Sequence, residues 1–306
     1  MMALLDVIII GAGQAGVTAA IYAKRKGLSV EIISDSVGGQ VSKTGQIENY
    51  PGYEQISGLQ LTKELKGQID RLHINVNVSR ASKVERIDGR FHIATESGHT
   101  LESRSVIIAS GAHWKELNVP GEADYRNKGV SYCTTCDAPL FAGMAVAVVG
   151  GANSAAESVV DLMNIASKIY MVVRSSLKAD QILVDRIKAS PRVELYEGWA
   201  VERVSGEDFV QSIDIASKSG ERKRLNVEGV FVEIGLLPNT GLVKGLVTLN
   251  ERNEIIIDEE CRTNIEGMFA CGDATNIPQK QIVVAAGEGA KAAMSAFEYL
   301  ARHENK

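Results

Sequence analysis

The sequence predicts an α/β protein with two Rossmann-like nucleotide-binding domains of the three-layer ββα type, the second inserted in the first. A short apolar strand runs into a glycine-rich turn and a helix twice, over residues 5–25 and again over 144–166. Each unit is followed by an interval of alternating apolar and polar residues with turn signals, at 81–104 and 199–225, which is typical of an antiparallel β meander. Residues 267–302 then give one more strand and a long alanine-rich helix, which complete the first fold.

The boundaries of the elements follow from local chemistry. Strands are predicted where apolar residues run together, at 5–10, 30–34, 105–109, 144–149, 168–173 and 229–234. Helices are predicted over the alanine-rich stretch that ends at Lys24-Arg25-Lys26-Gly27, over 157–166 and over 282–302. The first domain is therefore expected to span 1–114 and 246–306, and the inserted domain 115–245, with crossings near 113–118 and 242–248.

The overall composition restricts the classes of function. The chain has 306 residues, of which 45% are hydrophobic and 23% charged, which is typical of a globular protein. A net charge of −5 argues against a basic surface for nucleic acid, and no apolar run approaches the ~20 residues of a membrane span. The first residues lack the basic segment of a signal peptide, and four cysteines are too few for a disulfide scaffold. We expect a cytoplasmic protein that binds neither nucleic acid nor membrane.

The first glycine-rich motif has the spacing of a dinucleotide site. Gly11 allows a sharp turn, Gly13 lets the backbone approach a pyrophosphate, and Gly16 lets the helix pack on the sheet. The helix N-terminus supplies N–H groups and partial positive charge for phosphates. Asp35 follows the second strand, roughly 20 residues after the turn, where an acid that binds ribose is expected. Together these residues predict a dinucleotide site.

The second motif, which contains Gly150, departs from this pattern. Ala155 at the third position is an ordinary variant, but Ala152 replaces the glycine that permits close approach to a pyrophosphate. The following strand ends in Val173-Arg174-Ser175, with no acid to hold a ribose. The motif therefore predicts either a working nicotinamide site or a vestigial element of the fold.

A third motif, Cys133-Thr134-Thr135-Cys136-Asp137, indicates redox chemistry. A CxxC sequence brings two sulfur atoms close enough for a disulfide and can lower the pKa of one thiol. Asp137 could relay a proton, or it could be a helix cap or a solvated acid. The alternative is half of a zinc site completed by Cys261 and Cys271, but those residues do not form a second compact pair. We therefore predict no bound metal.

In combination, these motifs resemble the low-molecular-weight thioredoxin reductases, and in detail the reductase portion of the flavoprotein component of alkyl hydroperoxide reductase. The resemblance covers essentially the whole chain and includes Gly38-Gly39-Gln40, Glu48-Asn49-Tyr50-Pro51-Gly52, Cys133 to Asp137, Gly150 to Ala155, Gly235 to Thr240, Gly272-Asp273-Ala274 and Lys280-Gln281-Ile282. That flavoprotein has an additional thioredoxin-like domain in front, whereas this sequence starts at the flavin strand. The resemblance therefore implies a stand-alone reductase of a separate protein.

The resemblance also implies the cofactors and the residues that bind them. The first domain would bind FAD through Gly11, Gly13, Gly16, Asp35, Gly39, Gln40, Asn49, Gly111, Gly272, Asp273, Gln281 and Ile282. Asp35 would lie at the adenosine half and Asp273 at the ribityl or pyrophosphate part. Gln281 and Ile282 would lie at the isoalloxazine. The inserted domain would bind NADPH or NADH through Gly150, Asn153, Ser154, Ala155 and Arg174.

The implied reaction is the reduction of a disulfide in a separate thioredoxin-like protein by an FAD-dependent enzyme, usually a homodimer. Cys136 would be the sulfur that faces the flavin, Cys133 would attack the disulfide of the substrate protein, and Asp137 would protonate the leaving thiolate. Members that prefer NADPH carry His-Arg-Arg after the second motif's strand, whereas this chain has Arg174 with Lys178 nearby. The coenzyme therefore stays open. Two alternatives also stay open, namely a reductase that takes electrons from a ferredoxin and a non-catalytic flavin redox sensor.

Overall fold

The computed structural model describes residues 4–303, and the chain divides into two compact units. The first unit comprises Met1–His113 with Leu237–Lys306, and the second comprises Trp114–Leu236. The segments that cross between the units pair with each other as two short strands, Ala112–Trp114 and Leu236–Pro238. The second crossing thus lies earlier in the chain than 242–248, because Val243 is already buried in the core of the first unit.

The elements are as follows. The first part of the first unit contains β1 (Leu5–Ala12), α1 (Gln14–Arg25), β2 (Val30–Val37), β3 (Gln46–Ile47), β4 (Ile56–Ser57), α2 (Gly58–Arg71), β5 (Asn75–Val78), β6 (Ala81–Ile87), β7 (Arg90–Thr95), β8 (Thr100–Ile108) and β9 (Ala112–Trp114). Next come β10 (Val130–Ser131), α3 (Thr134–Asp137), β11 (Ala145–Val149), α4 (Asn153–Leu162), β12 (Lys168–Val173), α5 (Gln181–Ala189), β13 (Val193–Glu197), β14 (Trp199–Gly206), β15 (Val210–Ser217), β16 (Arg222–Asn226), β17 (Gly229–Val232) and β18 (Leu236–Pro238). The chain ends with β19 (Met268–Ala270) and α6 (Ile282–Arg302).

A seven-stranded sheet organises the first unit. Its strands follow the order β5-β2-β1-β8-β7-β6, and β19 also pairs with β8. Strand β1 lies between two parallel neighbours, with Val7 opposite both Val30 and Ser105. Val7, Ile8 and Ile9 are fully buried, as expected for a parallel strand covered on both faces. Strands β6, β7 and β8 form the predicted antiparallel meander.

The second unit has a parallel five-stranded sheet in the order β10-β17-β11-β12-β13 and a three-stranded antiparallel sheet, β14-β15-β16. The side chains of β11 alternate between two cores because successive residues of a strand face opposite sides. Val146 and Val148 lie in the core that contains residues of α4 and α5, and Ala147 and Val149 lie in the core against the three-stranded sheet. The three layers are therefore helices, parallel sheet and antiparallel sheet, which confirms the predicted fold class.

Two predicted boundaries were wrong in a way that local geometry explains. Helix α4 begins at Asn153 rather than at 157, because it starts directly from the glycine-rich turn with Ala152 as its N-cap residue. The strand predicted at 105–109 is continuous with the last strand of the meander, so both belong to β8. No helix within residues 4–303 is long and apolar enough to cross a membrane.

Candidate redox and nucleotide-binding sites

The first glycine-rich turn joins β1 to α1 and leaves no room for side chains at two positions. Gly11 has φ of +109°, and a Cβ atom there would overlap the carbonyl oxygen of Ala109. A Cβ atom on Gly16 would likewise overlap the carbonyl oxygen of Gly11. At Gly13, the N-cap residue of α1, no atom lies within 4 Å of the position where a Cβ would stand. The turn is thus closed on the side of the sheet and open at Gly13.

An unsatisfied buried group lies beside this open side. Gln14 begins α1 and is 6% exposed, and within residues 4–303 its Oε1 atom has no hydrogen-bond partner. Its Nε2 atom donates to the hydroxyl of Tyr50 at 3.1 Å. Rotation of the amide exchanges its two ends, so Tyr50 can donate to the oxygen while the N–H group becomes available to an anion. Because a buried polar group without a partner is costly, this geometry fits a bound polar ligand such as a pyrophosphate.

Asp35, the predicted ribose acid, lies in the last part of β2 and is already paired. Arg80 donates from Nε to its Oδ2 atom at 2.7 Å, and the hydroxyl of Ser36 donates to its Oδ1 atom at 3.3 Å. The hydrogen bond from Arg80 lowers the pKa of Asp35, so the carboxylate stays ionised. An ionised carboxylate still has acceptor positions for a ribose diol. No sequence pattern identifies Arg80 as a neighbour of Asp35.

Residues predicted to lie along the rest of the cofactor meet in two pairs. Gln40 donates to Asp273 at 3.3 Å, and Asn49 donates to Gln281 at 3.3 Å. Burial raises the pKa of Asp273, although the charge of Lys280 partly offsets this effect. Gly39 lies against the first turn, since a Cβ atom there would stand 3.2 Å from the Cα of Gly13. The remaining predicted positions in this unit are Gly111, which precedes β9, Gly272, which starts a short 3₁₀ turn, and Ile282, the first residue of α6.

The second glycine-rich turn, between β11 and α4, is also tight. Gly150 has φ of +152°, and a Cβ atom there would overlap the carbonyl oxygen of Glu233. It would also stand 2.8 Å from the methyl group of Ala155, which therefore fills the space under the turn. Ala152 is exposed and extended at the start of α4. Its methyl group thus lies on the surface where a pyrophosphate would approach.

The other predicted coenzyme residues around this turn differ in their hydrogen bonding and exposure. Asn153 exchanges two hydrogen bonds with Asp180, accepting from its N–H group at 2.9 Å and donating to its carboxylate at 3.1 Å. Ser154 and Arg174 are exposed. Within residues 4–303, no hydrogen bond or ion pair engages the side chain of Arg174, so its guanidinium can meet an anion.

The two cysteines of the CxxC motif form a disulfide with a Cα–Cα distance of 5.3 Å. Cys133 is the N-cap residue of the single-turn helix α3, and Cys136 lies within it. The N–H groups of Cys136 and Asp137 donate to the carbonyl oxygen of Cys133 at 3.2 and 3.1 Å. This turn holds the sulfur atoms adjacent, as the motif predicts.

Asp137 is bound to the same turn through Ser131. The hydroxyl of Ser131 donates to Asp137 at 2.6 Å and accepts the N–H group of Cys133 at 3.1 Å. Burial raises the pKa of Asp137, and the hydrogen bond from Ser131 only partly opposes this effect. A carboxyl with a raised pKa next to a disulfide is suited to hold and deliver a proton. Ser131 was not selected from the sequence, although it lies two residues before Cys133.

A second carboxyl contacts the CxxC segment from another part of the chain. Glu233 follows β17 and accepts the hydroxyl of Thr134 at 3.0 Å. Burial raises its pKa, while hydrogen bonds from Thr134 and Ser158 act in the opposite direction. The sequence held a signal for this contact, because an acid interrupts the apolar run that was predicted as a strand at 229–234.

The cysteines of the zinc alternative belong to the other unit. Cys261 and Cys271 are buried in the core of the first unit, whereas Cys133 and Cys136 are joined to each other in the second unit. Burial raises the pKa of Cys261 to about 12, which keeps it a thiol. Within residues 4–303, no group of three or more potential metal-ligating side chains comes together.

Comparison with known families assigns the chain to a class. Residues 5–289 match the family model of the pyridine nucleotide-disulphide oxidoreductases, and the chain belongs to this family. It is therefore an oxidoreductase, and the family implies FAD and a pyridine nucleotide. The predicted resemblance is confirmed at this level.

Individual relatives make the class narrower. The chain is 44% identical over 301 residues to an alkyl hydroperoxide reductase subunit of Staphylococcus aureus, covering 97% of this chain and 59% of that protein. Among solved structures, thioredoxin reductase from Streptococcus pyogenes matches with a TM-score of 0.94 and 38% identity, over 99% of this chain and 100% of the other. A ferredoxin-flavin thioredoxin reductase from Clostridium acetobutylicum matches with a TM-score of 0.56 and 29% identity over the full length of both chains. The fold is thus that of a thioredoxin reductase-like disulfide oxidoreductase.

The raised pKa of Asp137 predicts a pH-dependent stability. Because the folded protein holds this proton more tightly than the unfolded chain does, stability decreases as the pH rises from the ordinary value of 3.8 through the raised pKa. Asp137→Asn keeps an oxygen for the Ser131 hydroxyl but removes the charge, so its free energy of unfolding should decrease less over this range. The free energy of unfolding at each pH is measured by urea denaturation, monitored through the fluorescence of Trp114 and Trp199, both in the second unit.

The exposed Asp124 in the same unit supplies a matched control. Asp124→Asn should follow the pH course of the unmodified protein. If Asp137→Asn followed that course as well, burial would not control the ionisation of Asp137.

Proposed function

We propose that this chain is an FAD-dependent thioredoxin reductase-like enzyme, which passes electrons from NADPH or NADH through FAD and the Cys133–Cys136 pair to a disulfide in a separate thioredoxin-like protein. The observation that carries the proposal is the Cys133–Cys136 disulfide, with the partly buried acid Asp137 bound to its turn through Ser131. The relatives named as thioredoxin reductases and as alkyl hydroperoxide reductase support the same chemistry. Since the chain spans 59% of the latter relative, the stand-alone activity is itself part of the proposal.

The residues of the first unit fit a flavin dinucleotide. The open side of Gly13 and the unsatisfied amide of Gln14 would hold the pyrophosphate, and Asp35 would hold a ribose. The pair Gln40–Asp273 and the start of α6 at Gln281 would hold the remaining parts. FAD, when bound, accepts two electrons from a reduced coenzyme and passes them to a disulfide.

The residues of the redox turn account for disulfide exchange. Two electrons and two protons convert the Cys133–Cys136 disulfide to two thiols. The Cys133 thiolate attacks the substrate disulfide, which forms a mixed disulfide and expels one substrate thiolate. Asp137 gives a proton to the leaving thiolate and takes one from the Cys136 thiol. The Cys136 thiolate then attacks Cys133, re-forms the original disulfide and releases the second substrate thiolate, which takes up from solvent the proton that Cys133 released. The substrate gains two electrons and two protons overall.

The residues around the second glycine-rich turn bear on the choice of electron donor. The exposed guanidinium of Arg174 suits the 2′-phosphate of NADPH, whereas the resemblance of the sequence to the peroxide-reductase branch implies NADH. Ala152 opposes close approach of either coenzyme. The ferredoxin-flavin thioredoxin reductase among the relatives keeps a ferredoxin donor as the second candidate. The sensor alternative is less favoured because the redox pair and its acid are intact. A homodimeric, cytoplasmic enzyme stays a prediction from resemblance and composition.

Gly13 provides a test of the flavin site. The unmodified protein should be yellow and hold one FAD per chain without a covalent bond. Gly13→Ala should fold normally, since the space beside it is open, but bind FAD at least about tenfold more weakly because the methyl group meets the pyrophosphate. FAD per chain after gel filtration and the melting temperature give the two readouts.

Gly16→Ala is the matched variant, because its methyl group would overlap the backbone of Gly11 and should lower stability as well as FAD binding. Full FAD occupancy in Gly13→Ala would place the pyrophosphate elsewhere. A colourless protein that cannot be reconstituted with FAD would overturn the proposed function.

Substitution of the two cysteines should distinguish the sulfur that attacks the substrate from the sulfur that releases the product. Both Cys133→Ser and Cys136→Ser should keep reduction of the flavin by its donor and lose all turnover. Only Cys136→Ser should trap a mixed disulfide with a purified bacterial thioredoxin, because Cys133 then attacks and nothing resolves the product. Non-reducing electrophoresis and mass spectrometry detect the adduct. Turnover in either variant would show that the pair is not the relay.

Anaerobic mixing with NADH, NADPH or a reduced ferredoxin identifies the donor through bleaching of the flavin absorbance. We expect bleaching by a nicotinamide coenzyme. Ala152→Gly should then lower KM by a factor of about five, equivalent to ~1 kcal/mol of relieved crowding. If NADPH is used, Arg174→Ala should raise its KM and leave that of NADH unchanged. Bleaching by ferredoxin alone would favour the second candidate, and no bleaching at all would favour the sensor.

A further inference from the structure

Glu233 occupies an unusual place in the second unit. It directly follows β17, whose residues are all buried, and it therefore puts a carboxyl at the end of an otherwise apolar strand inside the parallel sheet. Its N–H group donates to the carbonyl oxygen of Val149 at 2.8 Å, which fixes its backbone to the end of β11. The side chain consequently starts from a rigid position.

That side chain points at the CxxC segment. Its carboxylate accepts the hydroxyl of Thr134 at 3.0 Å and also the backbone N–H group of Thr134, the residue that follows Cys133. Ser158 on α4 donates a further hydrogen bond. Thr134 and Ser158 are 4% and 5% exposed, so these contacts are shielded from water. Three hydrogen-bond donors from two helices thus hold the Glu233 carboxylate at Thr134, the residue next to the disulfide-bonded Cys133.

Among the described residues, no cation contributes to the pKa of Glu233. On α4, the charged residue that acts on Glu233 is another acid, Glu157, which is exposed. On α3, Asp137 adds a second carboxyl, and within residues 4–303 no cation contributes to the pKa of Asp137. Burial and Glu157 raise the pKa of Glu233. Two carboxyls thus lie in or against the CxxC segment, whereas positive charge is what usually activates a cysteine thiol.

We propose that Glu233, held against the CxxC segment by Thr134, controls the acidity of the reduced Cys133–Cys136 pair, because its negative charge opposes formation of the thiolate. Reduction of the disulfide yields two neutral thiols, and one of them must release a proton before it can attack. A nearby anion makes that release less favourable, so the nucleophile forms at a higher pH than beside a neutral group. The inference rests on the proposed function only in taking this pair as the redox centre.

The pH profile of thiol alkylation tests this inference. The full-length protein is reduced with tris(2-carboxyethyl)phosphine, and the rate of reaction of Cys133 with iodoacetamide is measured from pH 5 to 10 by peptide mass spectrometry. Glu233→Gln keeps the shape and an acceptor for Thr134 but removes the charge. It should move the midpoint of the profile to lower pH and make alkylation at neutral pH roughly three- to tenfold faster. A merely structural contact would change the rates without moving the midpoint.

Two further variants make the outcome specific. Thr134→Val removes the hydroxyl that fixes and helps ionise Glu233, so it should shift the midpoint in the same direction by a smaller amount. Glu157→Gln removes a more distant acid and should leave the midpoint nearly unchanged. An unmoved midpoint in Glu233→Gln, or an equal shift in Glu157→Gln, would overturn the inference. The reductant is chemical, so a failure of every donor or protein substrate would count against the proposed function alone.

Discussion

The close approach of backbone to backbone around α1 is the constraint on which the first unit depends. A side chain at Gly16 would overlap the carbonyl oxygen of Gly11, and one at Gly11 would overlap that of Ala109 at the end of β8. Similarly, a side chain at Gly289 of α6 would overlap the carbonyl oxygen of Ala15. Two elements, β1 and α6, therefore meet α1 at distances that only glycine permits, and Ala109 after β8 meets β1 in the same way. These contacts leave Gly13 as the open side of the turn, and the unsatisfied oxygen of Gln14 lies beside it.

The second unit repeats this turn with alanine at two of the three glycine positions. Gly150 needs its positive φ, and its tight contact with the backbone of Glu233 has the same geometrical cause as the contact of Gly11 with Ala109. Ala155, however, carries a methyl group where the first turn has no room for one at Gly16, and Ala152 adds a methyl group on the exposed side. The exposed methyl group of Ala152 consequently makes this turn less accessible to a pyrophosphate than the first turn. The family therefore indicates a nicotinamide coenzyme, whereas the methyl group at Ala152 opposes its binding at this turn.

The redox turn combines groups that are distant in sequence. Ser131 joins the Asp137 carboxyl to the backbone of Cys133, and Glu233 reaches Thr134 from the end of β17. Both carboxyls have a raised pKa because they are buried without a compensating cation among their described contacts. Burial suits Asp137 to hold a proton, whereas the hydrogen bonds from Thr134 and Ser158 favour the ionised form of Glu233.

The sequence alone determined the features that depend on neighbours along the chain. The two strand-turn-helix units, the meanders and the CxxC turn follow from hydrophobic period, glycine spacing and local hydrogen bonds, and the fold class and family followed from their order. Only the tertiary structure decided which remote groups meet. Arg80 pairs with Asp35 because β5 lies beside β2, and Glu233 contacts Thr134 because β17 lies between β10 and β11. The pairing of strands brings such residues together, and a linear pattern carries no distance between positions that are far apart in the chain.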